Sequence, residues 1–121
     1  MLTGKIYHIM DKKLKKYQTI LEAYLQEEAN DKVIPGIEFQ VIIDKHNNHF
    51  QLVETGWYDG HYIYSVIFHF QIKPNGKIWL LINNSDILVA DELMRRGVPA
   101  SDIVLGFHSE EVRPFTGFAT A

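Results

Sequence analysis

At 121 residues the chain has the length of one domain around one hydrophobic core. It contains no cysteine, which excludes disulfides and thiolate-held zinc. A net charge of −3 with 46% hydrophobic residues describes a globular protein and argues against an unaided grip on nucleic acid, which needs a basic face.

In chain order, residues 11–29 ("DKKLKKYQTILEAYLQEEA") read as an amphipathic helix. Met10, Leu14, Tyr17, Leu21 and Tyr24 recur at steps of four and three, and Ile20 and Leu25 widen the stripe. Asn30-Asp31 and Pro35-Gly36 end it. Strands are expected over 37–44, 49–58, 61–72 and 78–83, separated by "KHNN", the hairpin signal Asp59-Gly60, and Asn75-Gly76. Gly56 reads as a bulge. The third strand alternates without a break, placing Tyr62, Tyr64, Val66, Phe68, Phe70 and Ile72 on one face. Strand 78–83 is apolar on both faces, and Ile63 and Ile67 occupy the nominally polar face of its neighbour. Something must therefore cover part of the second face, either the C-terminal tail or another subunit. Residues 87–96 form a second helix capped by Ser85-Asp86, stopped by Gly97 and followed by Pro99; Ser101-Asp102 cap one further turn. The fold expected is α+β: an N-terminal helix, a four-stranded antiparallel meander, a short second helix and a packed C-terminal tail.

Candidate chemistry is thin. His46 and His49 lie in a turn without an acidic partner, and His61 and His69, on one strand face, are roughly 26 Å apart at strand rise. No metal site and no cofactor is expected. His108 with Glu110, Glu111 or Asp102 has no nucleophile suited to hydrolysis, since Ser109 lacks an elbow motif, so the chain is read as non-catalytic. Lys12, Lys13, Lys15 and Lys16 form the dense basic cluster and are the candidates for nucleic-acid contact. With Glu22, Glu27 and Glu28 toward the helix C-terminus, the charge order opposes the macrodipole. That order suggests a two-fold homodimer through this helix or the sheet beside it. No apolar run nears the roughly 18 residues of a membrane span, and the N-terminus lacks a signal-peptide pattern, so a cytoplasmic protein is expected.

Several fragments occur in a specific order: "MDKKLKKYQTIL", Gly56-Trp57, Gly76-Lys77-Ile78-Trp79, Gly97-Val98-Pro99, Asp102 through His108, Arg113, and Thr116-Gly117-Phe118-Ala119. Together they make residues 10–121 resemble the XisI family, the fdxN-element excision controlling factors of cyanobacteria. On that resemblance, residues 10–121 are one XisI-like domain. Residues 1–9 are an upstream extension or follow from a start codon set too early. The resemblance implies a regulatory accessory protein, linked indirectly to a site-specific recombinase and partnered by an XisH-like protein. It brings no catalytic residues. His108, Arg113, Trp57 and Tyr58 are the candidates for partner binding, and the aromatic tail around His108 is expected to close the sheet. The alternative is a direct DNA-binding accessory using the helix-one lysines.

Overall fold

The computed structural model describes residues 3–121. Helix α1 runs from Thr3 to Asp31, so it begins well before residue 11 and passes without a break through residues 3–9. Its apolar stripe is shorter than the spacing suggests: Tyr17, Leu21, Tyr24 and Leu25 are buried, Leu14 and Ile20 pack at the margin, and Met10 is exposed. Strands β1 (Ile37–Asp44), β2 (His49–Tyr58), β3 (His61–Ile72) and β4 (Ile78–Asn83) stand at the bounds that alternation and turn chemistry predict. Asp59 and Gly60 both take positive φ (49° and 74°), as a two-residue hairpin of the favoured hand requires.

After β4 the chain forms helix α2 (Val89–Arg95) and a 3₁₀ turn (Ala100–Asp102), then returns as strand β5 (Ile103–Leu105). β5 runs parallel to β4, pairing Ile78 with Ile103 and Leu80 with Leu105. The sheet is therefore five-stranded and mixed, in the order β1-β2-β3-β4-β5, rather than a four-stranded antiparallel meander. A parallel neighbour needs a crossover, and α2 supplies it.

The long third strand is not one continuous face. Leu52 pairs with Phe68 but Val53 pairs with Val66, so Ile67 is an extra residue in β3. A bulge of this kind reverses which face later side chains take. Phe68, Phe70 and Ile72 point toward α1, whereas Tyr62, Tyr64 and Val66 point away from it. The same reversal places His61 and His69 on opposite faces. A second irregularity, with His69 opposite Ile82 and Phe70 opposite Leu80, leaves Leu81 as the extra residue of β4. Gly56, in contrast, keeps its register with Ile37 and is not a bulge. Glycine is needed there because φ is +143° and a Cβ would lie 2.0 Å from the Gly36 carbonyl oxygen.

The core lies between the sheet and the two helices. Phe50, Leu52, Phe68, Phe70, Ile78, Leu80 and Ile103 from the sheet meet Leu21, Tyr24 and Leu25 from α1 and Val89, Ala90 and Leu93 from α2. Fully burying each large side chain contributes about 1.5–3 kcal/mol of transfer free energy. The start of α2 is capped differently from expectation. Leu88 is its N-cap and offers no side-chain hydrogen bond. The Ser85 hydroxyl instead accepts from the Ile87 amide at 3.1 Å and donates to Asn83. Gly97 does stop the helix: with φ 105°, its amide bonds Met94 O while the Val98 amide bonds Leu93 O, a Schellman closure.

Candidate docking surfaces

The C-terminal tail closes an edge more than a face. Ala119 bridges Val104, and its amide donates to the Ile103 carbonyl at 2.8 Å, so the tail caps the outer side of β5. Phe118 packs against the core, Phe107 is half-exposed, and Phe115 is almost wholly in solvent, at 87% exposure. Of the three tail phenylalanines, only Phe118 closes anything.

Arg113 lies within the described structure, half-buried. Its guanidinium sits 4.8 Å from the centre of the Trp79 ring, while Nε donates to the His108 carbonyl and Nη1 to that of Thr120. Lys73 Nζ lies 3.7 Å from the same ring, so two cations share one indole. Gly106 presses against that indole, where a Cβ would come within 2.9 Å of Trp79 Cε3. These contacts explain how β4 carries apolar residues on both faces: the tail covers Trp79. His108 is half-buried, its ring 4.6 Å from that of Phe107. Glu110 and Glu111 are exposed.

Between α2 and the tail lies a groove of about 150 Å³, whose lining includes Ile87, Leu88, Ala90, Leu105, Phe107 and Phe118. Leu88 and Phe107 stand at its rim with 73% and 49% of their surface exposed. Leu88 follows a turn closed by hydrogen bonds among Asn83, Ser85 and Ile87, and α2 begins directly after it.

Trp57 and Tyr58 do not share a surface, because adjacent strand residues point to opposite faces. Trp57 belongs to the face away from α1, where its ring lies 5.2 Å from that of Tyr62. Exposures are 64% for Trp57, 58% for Tyr62, 71% for Tyr64 and 49% for Ile42. The tail does not reach these four residues; β1 to β3 leave them open.

The basic cluster of α1 divides. Lys13 Nζ binds Asp102 at 2.8 Å, and Lys16 Nζ approaches the Gly97 carbonyl at 3.4 Å, so both tie α1 to the chain beyond α2. Lys15 pairs with Asp11 at 3.4 Å, and Lys12 faces solvent. The Tyr17 hydroxyl donates to the same Asp102 carboxylate. Burial, then the bond to Asp102, pushes the Tyr17 hydroxyl well above its ordinary value. Burial alone would raise the Asp102 carboxyl, but hydrogen bonds from Lys13 and Tyr17 outweigh it and hold it low. The glutamates that opposed the macrodipole find partners within the chain: Glu22 with Lys45 at 3.2 Å, Glu28 with Lys32, and Glu27 with Arg96.

One cluster escaped the sequence reading. His49 Nδ1 and His69 Nε2 are 2.9 Å apart across β2 and β3, with Gln51 Nε2 3.2 Å from His69 Nδ1. Spacing along one strand does not reveal a pair made by cross-strand register. Burial, then the nearby His49 charge, lowers the His69 pKa.

The comparisons with known proteins bear on the whole of this architecture. The family model described as XisI protein matches residues 10–120. The chain belongs to the XisI family. Among solved structures it is similar to a XisI-like protein from Anabaena variabilis ATCC 29413, at 40% identity and a TM-score of 0.84, covering 89% of this chain and 99% of that one. It is also similar to the fdxN element excision controlling factor XisI from the same organism, at 29% identity and a TM-score of 0.75, covering 90% and 99%. No curated protein matches it. The XisI fold is thus the α+β arrangement described above, with α1 crossing residue 10, where the family match begins. Among the described residues, no helix is long and apolar enough to cross a membrane.

Proposed function

We propose that this chain is a non-catalytic controlling factor of DNA-element excision that acts by binding another protein, an XisH-like partner, at the groove between α2 and the tail. The reading draws on its family and on a solved relative described as an fdxN element excision controlling factor. The observation that carries the site is the groove itself, where Leu88 and Phe107 flank an apolar cleft beside the core. Exposed apolar side chains rimming a concave apolar site mark an interaction surface. Arg113 and His108 shape the tail that forms one wall.

The test is co-expression with the XisH-like protein encoded in the same genome, followed by co-elution. Leu88→Glu and Phe107→Glu are expected to abolish the complex, while Lys12→Glu with Lys15→Glu leaves it intact. If the two proteins never associate, and the chain alone retards DNA in a manner lost with the lysine changes and steeply salt-dependent, direct DNA binding replaces this reading.

A further inference from the structure

The face of the sheet opposite α1 carries an arrangement that the partner groove does not use. Strand register sorts its side chains into rows. One row runs Asp44, His49, Gln71, Trp79 from β1 to β4; another runs Ile42, Gln51, His69, Ile82. At the far end of β2 and β3, Trp57 stands directly opposite Tyr62. The face is thus aromatic at its Trp57–Tyr62 end and polar across its middle, where His49, Gln51, His69 and Gln71 lie, with an anionic group at the β1 side and two cations, Lys73 and Arg113, over Trp79 at the β4 side. Among the described residues, neither Asp44 nor Lys73 nor Arg113 takes part in a salt bridge.

This pattern is complementary to itself. A two-fold axis lying between two facing sheets and running along the strands places β1 over β4 of the other copy, and β2 over β3. Each row then meets its own reverse. Ile42 faces Ile82, Trp57 faces Tyr62, and Asp44 faces the Lys73 and Arg113 cations of the second copy. Aligned sheets pack about 10 Å apart with strands within roughly 30° of each other, which keeps these rows in reach. Strands β1 to β3, with β4 under the tail, present roughly 475 Å² per copy, about 950 Å² in all, the size of a weak, concentration-dependent interface.

We infer that the open face of the sheet is a self-association surface, on which a second copy of this chain packs face to face with Asp44 of each copy against Lys73 and Arg113 of the other. The inference stands apart from the proposed partner groove, which lies on the other side of the molecule's β4 edge.

Light scattering on the full chain tests it. At roughly 100 µM the wild type is expected at twice the 14.0 kDa of one chain. Trp57→Lys with Tyr64→Lys is expected to give a folded monomer with an unchanged circular dichroism spectrum. Asp44→Lys is expected to weaken the dimer about tenfold or more, and adding Lys73→Asp is expected to restore it. Should the lysine pair compromise folding, the charge-reversal pair still reads the contact, since Asp44 is exposed and restoration by Lys73→Asp is read against the single change. A wild-type monomer at that concentration, or a dimer indifferent to both sets of changes, overturns the inference. Leu88→Glu leaves the dimer intact and affects only the XisH-like complex, so the two proposals fail separately.

Discussion

One sheet has two faces of different fate. Toward α1, Phe50, Leu52, Phe68, Phe70 and Leu80 are sealed beneath two helices; away from it, Trp57, Tyr62 and Tyr64 stand in solvent. Both sets come from the same strands with the same alternation, and β3 contributes to both. The divider is Ile67. Without that extra residue the aromatic half of β3 would lie beneath α1 with the phenylalanines; with it, the strand delivers its tyrosines outward. Placement of large apolar side chains here is decided by one inserted residue rather than by hydrophobicity.

The comparison can be broken most severely at Gly56, which serves both faces by letting β2 approach Gly36. Gly56→Ala sets a methyl 2.0 Å from a backbone oxygen at a φ that L-residues avoid. A loss of about 3 kcal/mol or more is expected, read as a lowered urea midpoint or failure to fold. The faces themselves are contrasted by Phe68→Ala and Tyr64→Ala. The first is expected to cost about 3–5 kcal/mol and the second about 0.5 or less, both measured on monomeric protein by denaturant unfolding.

Smaller is the tie between α1 and the 3₁₀ turn before β5. Asp102→Ala strands Lys13 and the Tyr17 hydroxyl, with an expected loss of about 1–2 kcal/mol. Because the folded-state pKa of Asp102 is depressed, its contribution is present above the unfolded value of 3.8 and lost as pH falls through the lower folded value. Wild type should therefore lose more stability than Asp102→Ala on acidification below pH 3.8. The least effect is expected at His69, on the open face. Its pKa is also lowered, so the unfolded chain takes up a proton first as pH falls below 6.5, and stability declines across that window. His69→Gln should flatten the thermal-unfolding midpoint between pH 7 and pH 5, the ordinary histidine range; an unchanged slope would rule out His69 as its source.

Much of this fold is readable from residue order because strands β1 to β4 carry unambiguous alternation bounded by turn residues, and Gly97 marks its helix end. What escapes has physical reasons. β5 spans three residues, too few for any period, and exists because β4 offers it a ladder. The bulge at Ile67 is silent because Tyr62 through Ile72 alternate as though nothing intervened. The four lysines read as one basic cluster, but Lys13 and Lys16 are claimed by Asp102 and the Gly97 carbonyl, partners 89 and 81 residues away in sequence. The groove at Leu88 was likewise hidden. It depends on how α2 and the tail meet, which no local pattern encodes.

The bridge between Ala119 and Val104 has a consequence for growth. A sheet with two bare margins can add neighbours without end, each newcomer offering the next a fresh row of amides and carbonyls. Here β1 is bare and the opposite margin is already occupied by the chain's own last turns. Strand addition can therefore begin at β1 alone. Cutting the chain after Gly117 would remove that bridge and bare the outer side of β5 as a second margin open to strand addition.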